Sequence, residues 1–338
     1  DEDAGSSLTL TATLSNATNE DVTVGISTSG TGTEGTDYAT ISDITISAGA
    51  TTGTASFTPT DDSIYEGNET GIVAISTVSG GSASESGTQS VTITVTENEN
   101  APTVTLSTSA NSIIENAGSS LTLTATLSVA TTEDVTVTLS TSGTGIEGTD
   151  YGTISDITIL AGDLTGTASF TPTDDTTYEG DETGIIAIDS VSGGSATEDG
   201  TQSETLTITE NESTPVITLS TSASSILENA GSSLTLTATS SIVTDEDIVV
   251  SITTSGTGVE GTDYATISDI TILAGDLTGT TLFTPTDDVI YEGDETGIIA
   301  IDSVSGADAA EDGTQSETLT ITDNETTAPT VTLSTSAS

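Results

Sequence analysis

The residues of this chain that could do chemistry are carboxylates gathered at turns. Residues 173–183 (TDDTTYEGDET) bring five acids into one turn between two alternating apolar runs, and the stretch returns as 60–70 and 286–296. No basic side chain answers them, because the 338 residues include 53 Asp and Glu and no Lys, Arg or His. Neutralisation must come from outside, by protons or by metal ions.

In the central part of the chain, four places send acids to what should be one end of a sandwich. They are Glu115, Asp150 of a GTDY motif, Asp174, Asp175 and Glu179 of the acidic turn, and Glu210 with Glu212. Calcium takes about six to eight oxygens and accepts flexible carboxylates and carbonyls, which suits this set. Magnesium uses fewer carboxylates and keeps its water. Zinc would call for His or Cys, and the chain has neither. The competing reading is a solvated anionic face that keeps the molecule soluble. It applies to part of the charge, Glu182 and Asp199 included, but it does not explain why acids fall where strands end.

Composition closes off other functions. A formal net charge of -53 with no Lys or Arg leaves nothing to hold phosphate, which excludes nucleic acid and an anionic membrane surface as partners. Without Cys there is no disulfide framework, so a secreted protein of this type needs another staple. No run is long enough for a transmembrane helix, and the N-terminus shows no basic-then-apolar signal pattern, so the expectation is a mature product or an excerpt of a longer chain. Paired acids can hydrolyse glycosides, but three copies without a His, Lys, Arg, Cys or Trp nearby do not read as an enzyme, and a Ser nucleophile would lack its base.

The elements that must position these acids repeat. GTDY ends at Tyr38, Tyr151 and Tyr264, a constant step of 113 residues, and Phe57, Phe170 and Phe283 keep the same spacing. That period exceeds a solenoid unit and is close to the roughly 100 residues of an immunoglobulin-like sandwich. In the middle repeat Leu121, Leu123, Ala125 and Leu127 alternate with Thr, as do Val135, Val137 and Leu139. Ile157 and Ile159, Ala168 and Phe170, Ile186 and Ile188, and Leu206 and Ile208 continue the pattern. With Val104 and Leu106 this predicts about seven strands and no helix: an all-β chain of tandem immunoglobulin-like antiparallel β-sandwiches. The Thr rows read as solvent-facing β-formers, or alternatively as an ordered hydroxyl face for ice or mineral. Tyr151 and Phe170 read as core.

The expected domains are 1–101, lacking a first strand, then 102–214 and 215–328, and an orphan first strand at 329–338. The strand at 102–110 (PTVTLSTSA) has counterparts at 215–223 and 329–337 but none before Asp1. An unpaired strand is a template for another chain. The expectation is a homo-polymer built head to tail through 329–338 and the first sandwich, or else a longer continuous array; an arbitrary boundary is the third possibility. Linkers such as 209–215 are short and carry Pro215, which predicts stiff joints. Asn16, Asn68, Asn211 and Asn324 open N-glycosylation acceptor patterns, so glycans are a possible addition.

The sequence Glu-Asn-x-Gly, Gly-Thr-Asp-Tyr, a run ending in Asp-Asp, Tyr-Glu-Gly-Asp-Glu-Thr and a closing Glu-Asn-Glu resembles the Calx-beta domain, three times over. That calcium-binding sandwich occurs in sodium/calcium exchangers, an integrin subunit and large bacterial surface proteins. The resemblance implies Ca2+ ligands at Glu115, Asp150, Asp174, Asp175, Glu179, Glu210 and Glu212. It implies the same roles for Glu2, Asp37, Asp61, Asp62, Glu66, Glu97 and Glu99 in the first repeat. In the third they fall to Glu228, Asp263, Asp287, Asp288, Glu292, Asp323 and Glu325. The closing cluster carries less Asp than in the exchangers. The function expected is a secreted or cell-surface shaft, filament or adhesin rigidified by calcium; the alternative is a calcium sensor whose interdomain angle responds to the ion.

Overall fold

The structure, a computed structural model, describes residues 1–325 and 327–336. Among them there is no helix, and the chain is all-β. The middle repeat holds two facing sheets. One orders Thr165–Phe170, Leu121–Leu127, Thr103–Thr108 and Thr197–Glu198 side by side; the other orders Ile157–Ile159, Val135–Gly143, Glu182–Ser192, Ser203–Thr209 and Ser112–Ile114.

Alternation dictates which face turns inward. Leu121, Leu123, Ala125 and Leu127 of one sheet meet Val135, Val137, Ile157, Ile159, Ile186 and Leu206 of the other in a single core, while the intervening Thr residues stay at the surface or partly so. Register keeps the large residues together, since Leu121 stands opposite Phe170 and Leu127 opposite Val104. A one-residue slip would turn this whole set to solvent. Tyr151 and Phe170 stack within the core with ring centroids 4.7 Å apart. Gly184, on the long strand above them, admits this stack, because a Cβ there would lie 2.9 Å from Phe170 Cε2.

Two features escape alternation. Edge pairings are parallel where antiparallel was expected, Thr197–Glu198 with Thr103–Thr108 and Ser112–Ile114 with Ser203–Thr209. The first strand is also divided between sheets, passing from Thr103–Thr108 in one to Ser112–Ile114 in the other. Three residues are too few to show a period. Their effect is large, because the crossing lays Glu115 beside the end of the last strand, where its N–H donates to Thr209 O at 3.0 Å.

The first repeat has only two strands, Leu8–Thr13 and Thr52–Phe57, in the sheet that has four in the middle repeat. Leu8 is consequently 54% exposed, against 9% for Leu121. At the other end, 327–336 form no strand, with Val331 and Leu333 open to solvent. Of the segment 329–338, Ala337 and Ser338 lie outside the described residues, as does Thr326 of one glycosylation pattern. Between repeats the acidic turn itself makes the contact. Ile64–Tyr65 pairs in parallel with Ala130–Thr131, and Thr177–Tyr178 with Val243–Thr244.

Candidate metal centre

Each acid of the middle repeat reaches the tip by its own route. Glu115 follows the short crossing strand and is 7% exposed; its Oε1 accepts from Asp175 N at 3.1 Å. Asp150, equally buried, accepts from Ile146 N at 2.6 Å through Oδ2, and its carbonyl accepts from Thr173 N at 2.9 Å. The GTDY loop and the acidic turn are thereby tied to each other. Asp175 Oδ1 caps the turn by accepting from Thr177 N at 2.6 Å. Gly180 takes a φ of 77°, a conformation that favours glycine, and so brings Glu179 and Glu182 to the same side.

Glu210 is the most tightly held. Its Oε2 accepts from Glu179 N at 2.7 Å and Gly180 N at 2.9 Å, and its Oε1 from Asn211 N at 2.8 Å and Glu212 N at 2.9 Å. Burial opposes its ionisation, but these amides overrule burial and set its pKa below the ordinary range.

The acids converge in two triads. Carboxylate oxygens of Glu115, Glu210 and Glu212 lie within 4.8 Å of one another, and so do those of Asp150, Glu179 and Glu182. The pattern repeats with Glu2, Glu97 and Glu99, with Asp37, Glu66 and Glu69, and with Glu228, Asp323 and Glu325. Asp174 and Asp175 stand close enough to repel Glu115, and Asp62 to repel Glu2. Asp61 Oδ1 accepts from Asn98 Nδ2 at 3.3 Å. In the third repeat Asp263 and Asp288 act on Glu292, while Asp287 stays exposed in the turn.

Crowding leaves its mark on the carboxyls. Burial, then the charges of Asp150 and its neighbours, push Glu179 and Glu182 up to about 7. Burial followed by Glu97 and Asp62 does the same to Glu2, to about 7. Glu212 rises to about 7, chiefly through the close approach of its carboxyl to that of Glu210 and then through burial.

The acids fit a cation on an observation separate from charge. Oε2 of Glu99, Glu212 and Glu325 and Oδ1 of Asn211 and Asn324 are buried without a hydrogen-bond partner. Buried acceptors are nearly always satisfied. The acidic side chains around them are acceptors too, and a hard cation satisfies several at once.

A sequence model of the Calx-beta domain matches residues 2–99, 97–212 and 210–325. The chain belongs to the Calx-beta family. Its three Calx-beta repeats thus account for nearly the whole length. No curated protein matches the chain significantly. Among solved structures, the CBD12 pair of CALX1.2 is similar at 15% identity over 64% of this chain and 99% of that one, with a TM-score of 0.30. Invasin, a bacterial integrin-binding protein, is similar at 15% identity over 94% of this chain and 57% of its own, with a TM-score of 0.28. The Yersinia pseudotuberculosis adhesin InvE is similar at 15% identity over 65% of this chain and 58% of its own, with a TM-score of 0.30.

Glu182, read from sequence as a solvated surface charge, instead completes the second triad of its Calx-beta repeat, and Glu69 does so in the first. The available signal was its place three residues beyond Glu179, across Gly180 and at the start of a long strand. Asn211 was likewise overlooked, since an amide between two acids reads as a spacer.

Proposed function

We propose that this chain is a calcium-stabilised structural array, part of the shaft of a secreted or cell-surface filament or adhesin, and that it is not an enzyme. The observation that carries the reading is the set of orphaned, buried acceptors of Glu99, Glu212 and Glu325, and of the neighbouring Asn211 and Asn324, in or beside the carboxylate triad that closes each repeat. Calcium would hold the residues of both triads together, with Glu115, Asp174, Asp175, Glu210 and Glu212 on one side of the tip and Asp150, Glu179 and Glu182 on the other. The chemistry the ion supplies is neutralisation; the protein's part is to hold the acids ready.

End-to-end growth is supported by what the repeats do to each other. In the first two repeats the next sandwich pairs with the acidic turn, whereas in the third Val289, Ile290 and Tyr291 are 88%, 59% and 42% exposed. A further sandwich would cover them, with 329–338 as its opening strand. The edge of Leu8–Thr13 would take such a strand from a preceding repeat, either in the same chain or in a second copy.

A sensor is the second reading, favoured by the position of Glu179 next to the joint residue Tyr178. Equilibrium calcium binding to the full chain decides between them and nothing. Saturable uptake at all three repeats, abolished in the middle one by Glu115→Gln with Glu179→Gln, supports the array. Saturation at micromolar ion with a switch in scattering from one defined interdomain angle to another, and not a loss of flexibility alone, favours the sensor. Absence of uptake sinks both.

A further inference from the structure

The first repeat keeps an open place for a strand. In the middle repeat Thr103–Thr108 lies between Leu121–Leu127 and the loop 196–202, and in the third Val216–Thr221 lies between Leu234–Ser240 and the loop 309–315. On its loop side each strand makes three hydrogen bonds. Thr197 N donates to Pro102 O at 3.1 Å, Asp199 N to Val104 O at 2.9 Å, and Leu106 N to Gln202 Oε1 at 3.3 Å. In the third repeat Ala310 N donates to Pro215 O at 3.0 Å, Asp312 N to Ile217 O at 3.0 Å, and Leu219 N to Gln315 Oε1 at 3.2 Å. The chain has three Gln, one in each such loop.

In the first repeat the loop is set without its strand. Gln89 N donates to Glu85 Oε1 at 2.7 Å and its Nε2 to Ser86 O at 2.7 Å, the bonds that Gln202 makes to Glu198 and Asp199. Among the described residues nothing donates to Gln89 Oε1, and the N–H groups of Ser84 and Ser86, which match Thr197 and Asp199, find no acceptor. Across the gap Leu10, Ala12 and Leu14 are partly exposed, whereas Leu123, Ala125 and Leu127 in the same places are 0%, 0% and 3% exposed. Such an edge is a template for main-chain pairing, with alternate side chains giving specificity.

The chain also carries an unused strand. Residues 328–337 (APTVTLSTSA) are identical to 101–110 at all ten positions and hold no charge, so their docking adds nothing to the repulsion of an acidic chain. Val331 and Leu333 are 98% and 100% exposed, where Val104 and Leu106 are 0% and 5%. Docked in the register of Thr103–Thr108, this segment sets Leu333 opposite Ala12 and Val331 opposite Leu14, with Leu333 N–H at Gln89 Oε1. The joints inside the chain supply the other half of the fit. Ile64–Tyr65 pairs with Ala130–Thr131 and Thr177–Tyr178 with Val243–Thr244, and the same step brings the exposed Ile290 and Tyr291 of one copy to Ala17 and Thr18 of the next.

We propose that the slot between Leu8–Thr13 and residues 83–89 is a binding site for an extended strand with apolar residues at alternate positions, that its occupant is 330–335 of a second copy, and that Gln89 fixes the register. This rests on the end-to-end growth proposed above and names its partner and its specificity-determining residue. A longer chain would fill the slot from its own preceding residues; copies of these 338 residues fill it from one another.

The test is sedimentation of the full chain over a concentration series in calcium, with a labelled peptide of sequence APTVTLSTSA as probe. Association should grow with concentration, and Leu333→Asp should abolish it. Leu333 is fully exposed and lies in no strand, so its replacement leaves the three sandwiches intact. The peptide should bind the Leu333→Asp chain at one per chain and dissociate oligomers of the unaltered chain, while a scrambled peptide does neither. Gln89→Ala should weaken both peptide binding and association on the order of fivefold, the effect of one hydrogen bond. Oligomers that persist in Leu333→Asp and ignore the peptide overturn this inference and leave end-to-end growth to other contacts. A monomer at every concentration, including one whose tail closes on its own first sandwich, overturns both, and calcium uptake measured on the same sample shows separately whether the calcium reading stands.

Discussion

At the tip of each repeat, Coulomb repulsion and desolvation act on the same few carboxyls, and the sign of their effect depends on what neutralises them. Glu182 is pushed up from its ordinary value of 4.5 to about 7, first by burial and then by Asp150 and Glu179. The folded chain therefore keeps protons that the unfolded chain has released between pH 4.5 and 7, and stability falls as pH rises through that window. Below it the contribution is fully present. Urea midpoints measured in EDTA should accordingly drop from pH 5 to pH 8, and added calcium, which displaces those protons, should flatten or reverse the trend. Glu182→Gln should raise the midpoint in EDTA at pH 8 and lower it in calcium. A change of the same sign in both conditions would remove Glu182 from the centre. Gln keeps the shape and removes the charge, so this crossing separates electrostatics from packing.

The strands position these acids, and much of their placement was readable beforehand. Alternation in 121–127, 135–139 and 157–159 named the buried residues, because a half-buried strand repeats every two residues. The acids at 115, 150, 174, 175, 179, 210 and 212 stood out because each follows or precedes such a run. What stayed hidden is what pairing decides: the three-residue strand Ser112–Ile114, the two-residue joints, and the turn at Gly180 that folds Glu182 inward. Packing beneath the tip gives a test at this scale. Gly184→Ala would drive a methyl into Phe170 and should cost about 1–3 kcal/mol in thermal or urea unfolding. A neutral result would mean that the Tyr151–Phe170 stack does not fix the strand. Tyr178 and Tyr291 provide a second test, being 7% and 42% exposed. Tyr178→Ala should destabilise on the order of 3 kcal/mol, whereas Tyr291→Ala should stay within about 0.5 kcal/mol.

Over the whole molecule, a charge of -53 favours extension and opposes contact between neighbouring sandwiches. Yet in the structure the repeats touch through their most acidic turns. Salt screens such repulsion over roughly 10 Å at about 0.1 M, which softens it without ordering the joints. A cation shared at the tip would do both, which is the reason for proposing calcium at the acidic tips and not over the surface at large. Small-angle X-ray scattering of the full chain, titrated with calcium at constant ionic strength from an EDTA-treated start, tests this most directly. The expected result is a saturable transition to a stiffer particle with a narrower range of arrangements of its sandwiches, reversed by chelation. Curves that superimpose with and without calcium, at ion levels where binding is saturated, would contradict it.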